Sequence, residues 1–292
     1  MFMHAIMIIA HNQFDLLEKL IAALDDERND IFVHIDAKVK NFDFERFKSI
    51  PAHSEIHFTQ RVNVTWGDFG LVKAEMMLID AAVKNESDHK KYSYYHLISG
   101  CDLPIKSNDE IHRFFEENNG KEFIHFSSDT VSSASVSRIR YYHFFRGKRT
   151  FIRKLLSYSV LQIEKLFGVN RLKKNNIRVQ KGSEWFSITG DLARYIAGKM
   201  DRWEHVFRYS YCADEVFVQT IFVNSPYKDN LYMPNCNNDH LACVRLIDWK
   251  RGNPYVFRKD DFEMIRSSPA MFARKFSLDV DSDIVDMILN SN

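Results

Sequence analysis

Residues 4–10 read HAIMIIA, an apolar run with no alternation, closed by the polar His11, Asn12 and Gln13. A run of this kind predicts a strand buried on both faces, and such strands belong to parallel sheets covered by helices. The next segment changes period. Leu16, Leu17, Leu20, Ile21 and Leu24 fall three or four apart, as on one face of a helix. DIFVHIDAK (30–38) is a second buried strand and IHFTQ (56–60) a third. GLVKAEMMLIDAAVKN (70–85) is a helix, YYHLISG (94–100) a fourth strand, NDEIHRFFEEN (108–118) a helix capped by Asn108, and KEFIHF (121–126) a fifth strand.

This alternation predicts an α/β fold: a mostly parallel twisted sheet flanked by helices. In such sheets ligands bind beyond the carboxyl ends of the strands. The residues there are His11, Asn12, Asp36, Lys38 and Ser99–Asp102. No G-x-G-x-x-G or G-K-[ST] loop follows any strand, which excludes a dinucleotide fingerprint or a P-loop. The chain divides into an α/β half (1–136), a basic helical insertion (137–181) and a second half (182–292) within the same domain. The N-terminal apolar run is too short to span a bilayer and lacks a basic leader or cleavage site. A cytoplasmic chain, peripheral at most on the inner face of a membrane, is the expectation. Cys101, Cys212, Cys236 and Cys243 have no C-x-x-C spacing, so reduced thiols are expected rather than a zinc site.

Three segments together resemble one family. They are IIAHNQ…DIFVHIDAK, then HLISGCDLPIKSNDEIHRFF…GKEFI, then KGSEWFSIT…CADEVFVQTI…VRLIDWKRG…FARKF. In this order they resemble the core-2/I-branching β-1,6-N-acetylglucosaminyltransferases, glycosyltransferase family 14, with the peptide O-xylosyltransferases as relatives. The resemblance covers about residues 3–280. It implies a GT-A-like fold and inverting transfer of a sugar from a UDP-sugar, with GlcNAc expected, to a glycan or lipid-linked glycan acceptor in surface polysaccharide synthesis. It also implies no divalent metal and no cofactor: basic side chains meet the departing diphosphate through charge-assisted hydrogen bonds.

Carried onto this chain, the resemblance makes Glu215 in CADEVFVQT the general base, since inversion needs one carboxylate to deprotonate the attacking hydroxyl. The alternative is that Asp214 and Glu215 only decorate a helix N-terminus, which acids favour. Lys275 in FARKF matches the phosphate-binding lysine. Arg251 is the expected second cation, with Lys250 and Arg274 as alternatives; a surface basic cluster is the competing reading. Asp36 contacts the uracil or caps a strand-end turn. His11 and Trp66 line the donor pocket, and Asp102 contacts the donor or orients its loop. A single acid in G-C-D is a poor ligand set for Mg²⁺ or Mn²⁺. Glu184, Trp185 and Trp249 are acceptor-side candidates, each tryptophan having a core role as its alternative. Asp279, Asp281 and Asp283 read as a solvated acidic turn.

Between Ser137 and Lys181 there are thirteen Lys or Arg and one acid, Glu164, a net +12. The whole chain is +1, so the remainder carries −11. FIRKLLSYSVLQIEKLF (151–167) sorts apolar residues to one side and cations to another, which suits an interfacial helix at anionic membrane or a helix packed on the domain. Two other functions compete: a nucleotide-sugar hydrolase or pyrophosphorylase, which would need clustered carboxylates and a phosphate loop, and a basic nucleic-acid-binding protein. The basic run carries no reading motif, so no nucleic acid is expected.

Overall fold

The computed structural model describes residues 2–144, 150–173, 176–235 and 237–291. Arg146, Lys148, Arg149 and Lys174 of the basic run, and Cys236, lie outside the described residues. The strands are β1 (Met3–Ala10), β2 (Asn29–Ile35), β3 (Glu55–Phe58), β4 (Tyr92–Ser99), β5 (Asp102–Pro104), β6 (Phe123–Ile124), β7 (Phe186–Thr189), β8 (Arg245–Ile247) and β9 (Phe272–Arg274).

The main sheet has the order β3-β2-β1-β4-β7-β6. The first four strands are mutually parallel, with Ile6 opposite Ile31 on one side and His96 on the other. β7 runs antiparallel to β4, and β6 antiparallel to β7. Strands from both halves of the sequence therefore share one sheet.

Burial follows the pleat, in which successive side chains face opposite sides. Ala5, Met7 and Ile9 of β1 join the core under the helices Gly70–Lys84 and Gly190–Ala197. Ile6, Ile8 and Ala10 join the core under Phe14–Ala23, Asn108–Glu117 and Ser282–Asn290. Residues 5–10 are 8% exposed or less, as the unbroken apolar run requires.

Three local expectations are corrected. Ser107, not Asn108, caps the helix Asn108–Glu117. Its hydroxyl accepts from the Glu110 amide while Glu110 reaches back to the Ser107 amide, a reciprocal box that outcompetes a cap one residue later. The KEFIHF strand contracts to two residues, Phe123–Ile124. Asp214 caps no helix with its side chain. Asp281 does cap the last helix and Asp279 accepts a hydrogen bond from Gln13, while Asp279 and Asp283 stay exposed, as a solvated acidic turn requires.

A second sheet, order β5-β9-β8, packs beside the first. Arg245 joins the two. Fully buried, it donates to the carbonyls of Leu97 and Phe186 in the main sheet (3.2 and 3.0 Å) and lies over the Phe272 ring in β9, 4.5 Å from its centroid. Burial pulls its pKa down to about 10.

Candidate active site

A cleft of about 480 Å³ opens at the carboxyl ends of β1, β2 and β4. His11 and Asn12 leave β1, Asp36 and Lys38 leave β2, and Ser99, Gly100 and Cys101 leave β4, all lining it as the parallel topology predicts. Val64 and Trp66 enter from the loop before Gly70–Lys84. Glu184 and Trp185 enter ahead of β7, and Arg274 and Lys275 from the end of β9.

Asp36 is 6% exposed. Its Oδ1 accepts from the amides of Lys38 and Val64 (2.9 and 3.3 Å), and its Oδ2 lies 3.4 Å from Lys38 Nζ. It closes the turn and also lines the cleft. Trp66 is 65% exposed and meets the Tyr211 ring edge-on. Gly67 makes that turn at φ +74°, where a Cβ would lie 2.9 Å from the Tyr211 ring.

Arg274 is the cation that the fold delivers here. Antiparallel pairing of β5 with β9 sets Asp102 opposite Arg274. The guanidinium lies over the Trp185 indole and faces the Asp102 carboxylate at 3.7 Å, too far for a hydrogen bond. Its Nε and Nη1 are buried and have no hydrogen-bond partner among the described residues. A charged group with unused donors, beside Lys275 in the same cleft, is built to receive an anion.

One sequence expectation is corrected here. Arg251 does not line the cleft. Asp248 and Asp261 bind its guanidinium at 2.5 and 2.6 Å, and it stacks on Tyr255, so two carboxylates already take its charge. Asp102 takes the second of its two expected roles, orienting its loop. It is wholly buried, accepting from the Ser99 hydroxyl and amide (2.5 and 3.1 Å), and so holds the loop and backs Arg274.

Glu215 ends a 3₁₀ turn, Ala213–Glu215, that precedes the helix Phe217–Val223. The turn starts at Cys212, in the left-handed region at φ 44°, a strained conformation of the sort found at functional sites. Arg138 Nη1 and Lys181 Nζ meet Glu215 Oε2 at 2.5 and 3.3 Å, while Oε1 takes no hydrogen bond among the described residues. Burial pushes this carboxyl up, but the bond and charge of Arg138, then Lys181, outweigh it and hold the pKa below the usual range. Glu215 is thereby ionised and oriented.

Gly182 ties this base to the cleft wall. Its amide donates to the Glu215 carbonyl (2.9 Å), and the following amide, of Ser183, donates to His125 Nδ1 (2.9 Å). Two residues on, Glu184 lies in the electrostatic field of both sides, Asp214 and Glu215 on one and Arg274 and Asp102 on the other. Burial, then the Asp214 charge, pushes its carboxyl up from the usual range. Behind it, Glu75 is fully buried on the helix Gly70–Lys84, with both oxygens unpartnered. Burial, followed by Glu184 and Asp214, raises it well above the carboxylate range. Among the described residues no three His, Cys, Asp or Glu side chains are grouped to hold a metal ion.

Trp249 stands outside the cleft lining. It is 51% exposed and donates from Nε1 to His240 Nε2 at 3.1 Å. His240 stacks on His125 at 4.2 Å, and His125 bonds Ser183, so this platform adjoins the Glu184 segment. Arg138, Lys181 and Glu75 are site residues that sequence reasoning missed. Only Glu75 gave a signal: an acid among Val72, Met76 and Ile79 on the apolar side of its helix.

The profile of the Core-2/I-Branching enzyme family matches residues 4–266. Xylosyltransferase sqv-6 of Caenorhabditis elegans is 26% identical over 276 residues, covering 87% of this chain and 32% of that protein. Xylosyltransferase 2 of Rattus norvegicus is 23% identical over 301 residues, covering 97% and 33%. The chain thus spans about a third of the length of these relatives. The apo structure of mouse xyloside xylosyltransferase 1 superposes with a TM-score of 0.38 at 10% identity, covering 93% of this chain and 96% of that one. The profile match across most of the length settles the family: the chain belongs to the Core-2/I-Branching enzymes, which are glycosyltransferases.

Proposed function

We propose that the chain transfers a sugar from a UDP-sugar to a hydroxyl of a glycan acceptor, with inversion and without a metal, in surface polysaccharide synthesis. The observation that carries this reading is Arg274: buried donors without partners, next to Lys275, in the cleft that opens at the strand ends. In the proposed reaction Asp36 and Trp66 hold the uridine, and Arg274 with Lys275 faces the diphosphate. Negative charge grows on the leaving oxygens as the anomeric C–O bond breaks, and fixed cations stabilise it without reorganising. Glu215 Oε1 accepts the proton of the incoming hydroxyl as its oxygen bonds to the anomeric carbon. Neutral Glu184 donates a hydrogen bond into the cleft without adding charge against the diphosphate. Trp249 offers a ring face for the acceptor sugar.

The donor sugar we propose is GlcNAc, on the family resemblance. Xylose is the second reading, since the curated relatives carry xylosyltransferase names. A thermal-shift screen of UDP-GlcNAc, UDP-xylose and UDP with EDTA present tests both points. A ligand at about 100 times its Kd adds roughly 2.7 kcal/mol to stability. A stabilisation that EDTA leaves intact is expected; stabilisation restored only by Mn²⁺ or Mg²⁺ refutes the metal-free reading, and none with any UDP compound refutes the donor.

A further inference from the structure

The helix Phe151–Leu166 is turned inside out for a protein surface. Phe151, Ile152, Leu155, Ile163, Leu166 and Phe167 share one side and are between 54% and 82% exposed. The opposite side packs toward the domain and carries Ser157, Val160, Leu161 and Glu164. Glu164, its sole acid, is buried and accepts a hydrogen bond from the Tyr142 amide at 2.9 Å. An amphipathic surface helix ordinarily buries its apolar stripe and shows its charges to water. Here that stripe faces outward, a surface that marks an interaction site.

Charge decides the occupant. Lys154 and Lys165 border one edge of the apolar side and Arg153 the other, and the surrounding segment carries +12. A second copy of the chain would bring the same +12 against it. A nucleic acid would use the cations and leave the aliphatic face in water. An anionic bilayer satisfies both features, taking aliphatic and aromatic side chains to the acyl boundary and the cations to its headgroups. No described helix is long and apolar enough to cross a membrane, so contact is from the surface. We propose that the helix Phe151–Leu166 lies in the interface of an anionic membrane, apolar side down, and docks the enzyme there.

The test is co-sedimentation of the full chain with phosphatidylcholine vesicles made with and without phosphatidylglycerol. Two variants are compared: Ile152→Ser/Leu155→Ser/Leu166→Ser, and Arg153→Glu/Lys154→Glu/Lys165→Glu. All six positions are exposed, so both should keep the parent melting temperature, and UDP-induced stabilisation reports the donor site separately. The proposal expects binding to phosphatidylglycerol vesicles that weakens with salt, and more than ~tenfold weaker binding by either variant. Absent binding by the parent chain, or binding by both variants as tight as the parent's, overturns it. A dimer in sedimentation velocity that the serine variant dissolves, without vesicle binding, assigns the face to a second copy instead.

Discussion

The Arg274 guanidinium lies over the Trp185 indole, 3.9 Å from the ring centroid, with Asp102 behind it at 3.7 Å. Neither neighbour takes a hydrogen bond from the guanidinium's buried Nε and Nη1. The ring and the carboxylate fix the cation in position while leaving its donors for a ligand. In a desolvated setting such a ring contact contributes on the order of 2 kcal/mol. Trp185→Ala should therefore raise the Kd for UDP by roughly 10- to 30-fold, read by titration calorimetry. Arg274→Lys should weaken UDP binding comparably, because an ammonium offers neither the planar fork nor the stack. If both variants bind UDP like the parent, Arg274 is not a diphosphate ligand.

Glu215 and Glu184 are displaced in opposite directions, which gives the rate profile two limbs. Glu215 must be ionised, and Arg138 holds its pKa below the usual range. The acid limb of kcat/KM should lie correspondingly low and move to higher pH in Arg138→Met. Glu184 is pushed up by burial and Asp214, so it ionises later than an ordinary carboxyl and then adds negative charge to the cleft that faces the diphosphate. Affinity for UDP should fall as pH rises and Glu184 ionises, and Glu184→Gln should abolish the fall. Glu215→Gln should cost roughly 10²- to 10⁴-fold in kcat with UDP binding preserved. A Glu215→Gln enzyme turning over at the parent rate removes the base.

The strand-end residues His11, Asp36 and Ser99–Cys101 were legible because periodicity alone places β1, β2 and β4, and parallel topology then places their carboxyl ends. The choice between Arg251 and Arg274 was not legible. It depends on β5, β8 and β9, three residues each and too short to show an alternation, with β5 paired to β9 across more than 160 positions of chain. The same holds for Arg138 with Glu215, 77 residues apart. In sequence Arg138 is one of thirteen cations, and only the folded loop singles it out. Glu75 did announce itself, as a carboxyl placed where the helix needs an apolar side chain.

Stability should fall as the medium turns mildly acidic, because of histidines rather than carboxylates. His4, His96 and His112 are buried together, with His4 stacked on His112 at 4.0 Å and 4.7 Å from His96. Burial lowers all three, helped by neighbouring rings at His4 and His96, by Arg28 at His4 and His112 and by Arg245 at His96, and His112 falls to about 4. In the unfolded chain they titrate near 6.5. Below that pH the unfolded state binds more protons, so stability present above 6.5 is lost as pH drops toward the folded values. His112 alone accounts for about 2 kcal/mol between pH 7 and pH 5. Urea midpoints at these two pH values check this, and His4→Leu should flatten the difference. Equal midpoints for the parent chain would show that the folded cluster takes up protons as readily as the unfolded chain does.

Gly182 sets the separation between the base and the cleft wall, and it does so by lacking a side chain. A Cβ there would sit 1.7 Å from the His125 carbonyl oxygen, a backbone atom that cannot swing away. Gly182→Ala must push the segment outward, stretching the Gly182–Glu215 and Ser183–His125 bonds together. Overpacking of this severity costs about 3 kcal/mol or more, a fall in Tm on the order of 5–10 °C. Activity should drop further than stability explains, because Glu215 and Glu184 move relative to each other. Gly120→Ala supplies the comparison: its φ of +84° carries strain, but nothing lies within 4 Å of the added carbon. That variant should lose about 1 kcal/mol and keep its kcat. If both variants lose stability and activity in the same proportion, the link from Gly182 to Glu215 has no special part in alignment.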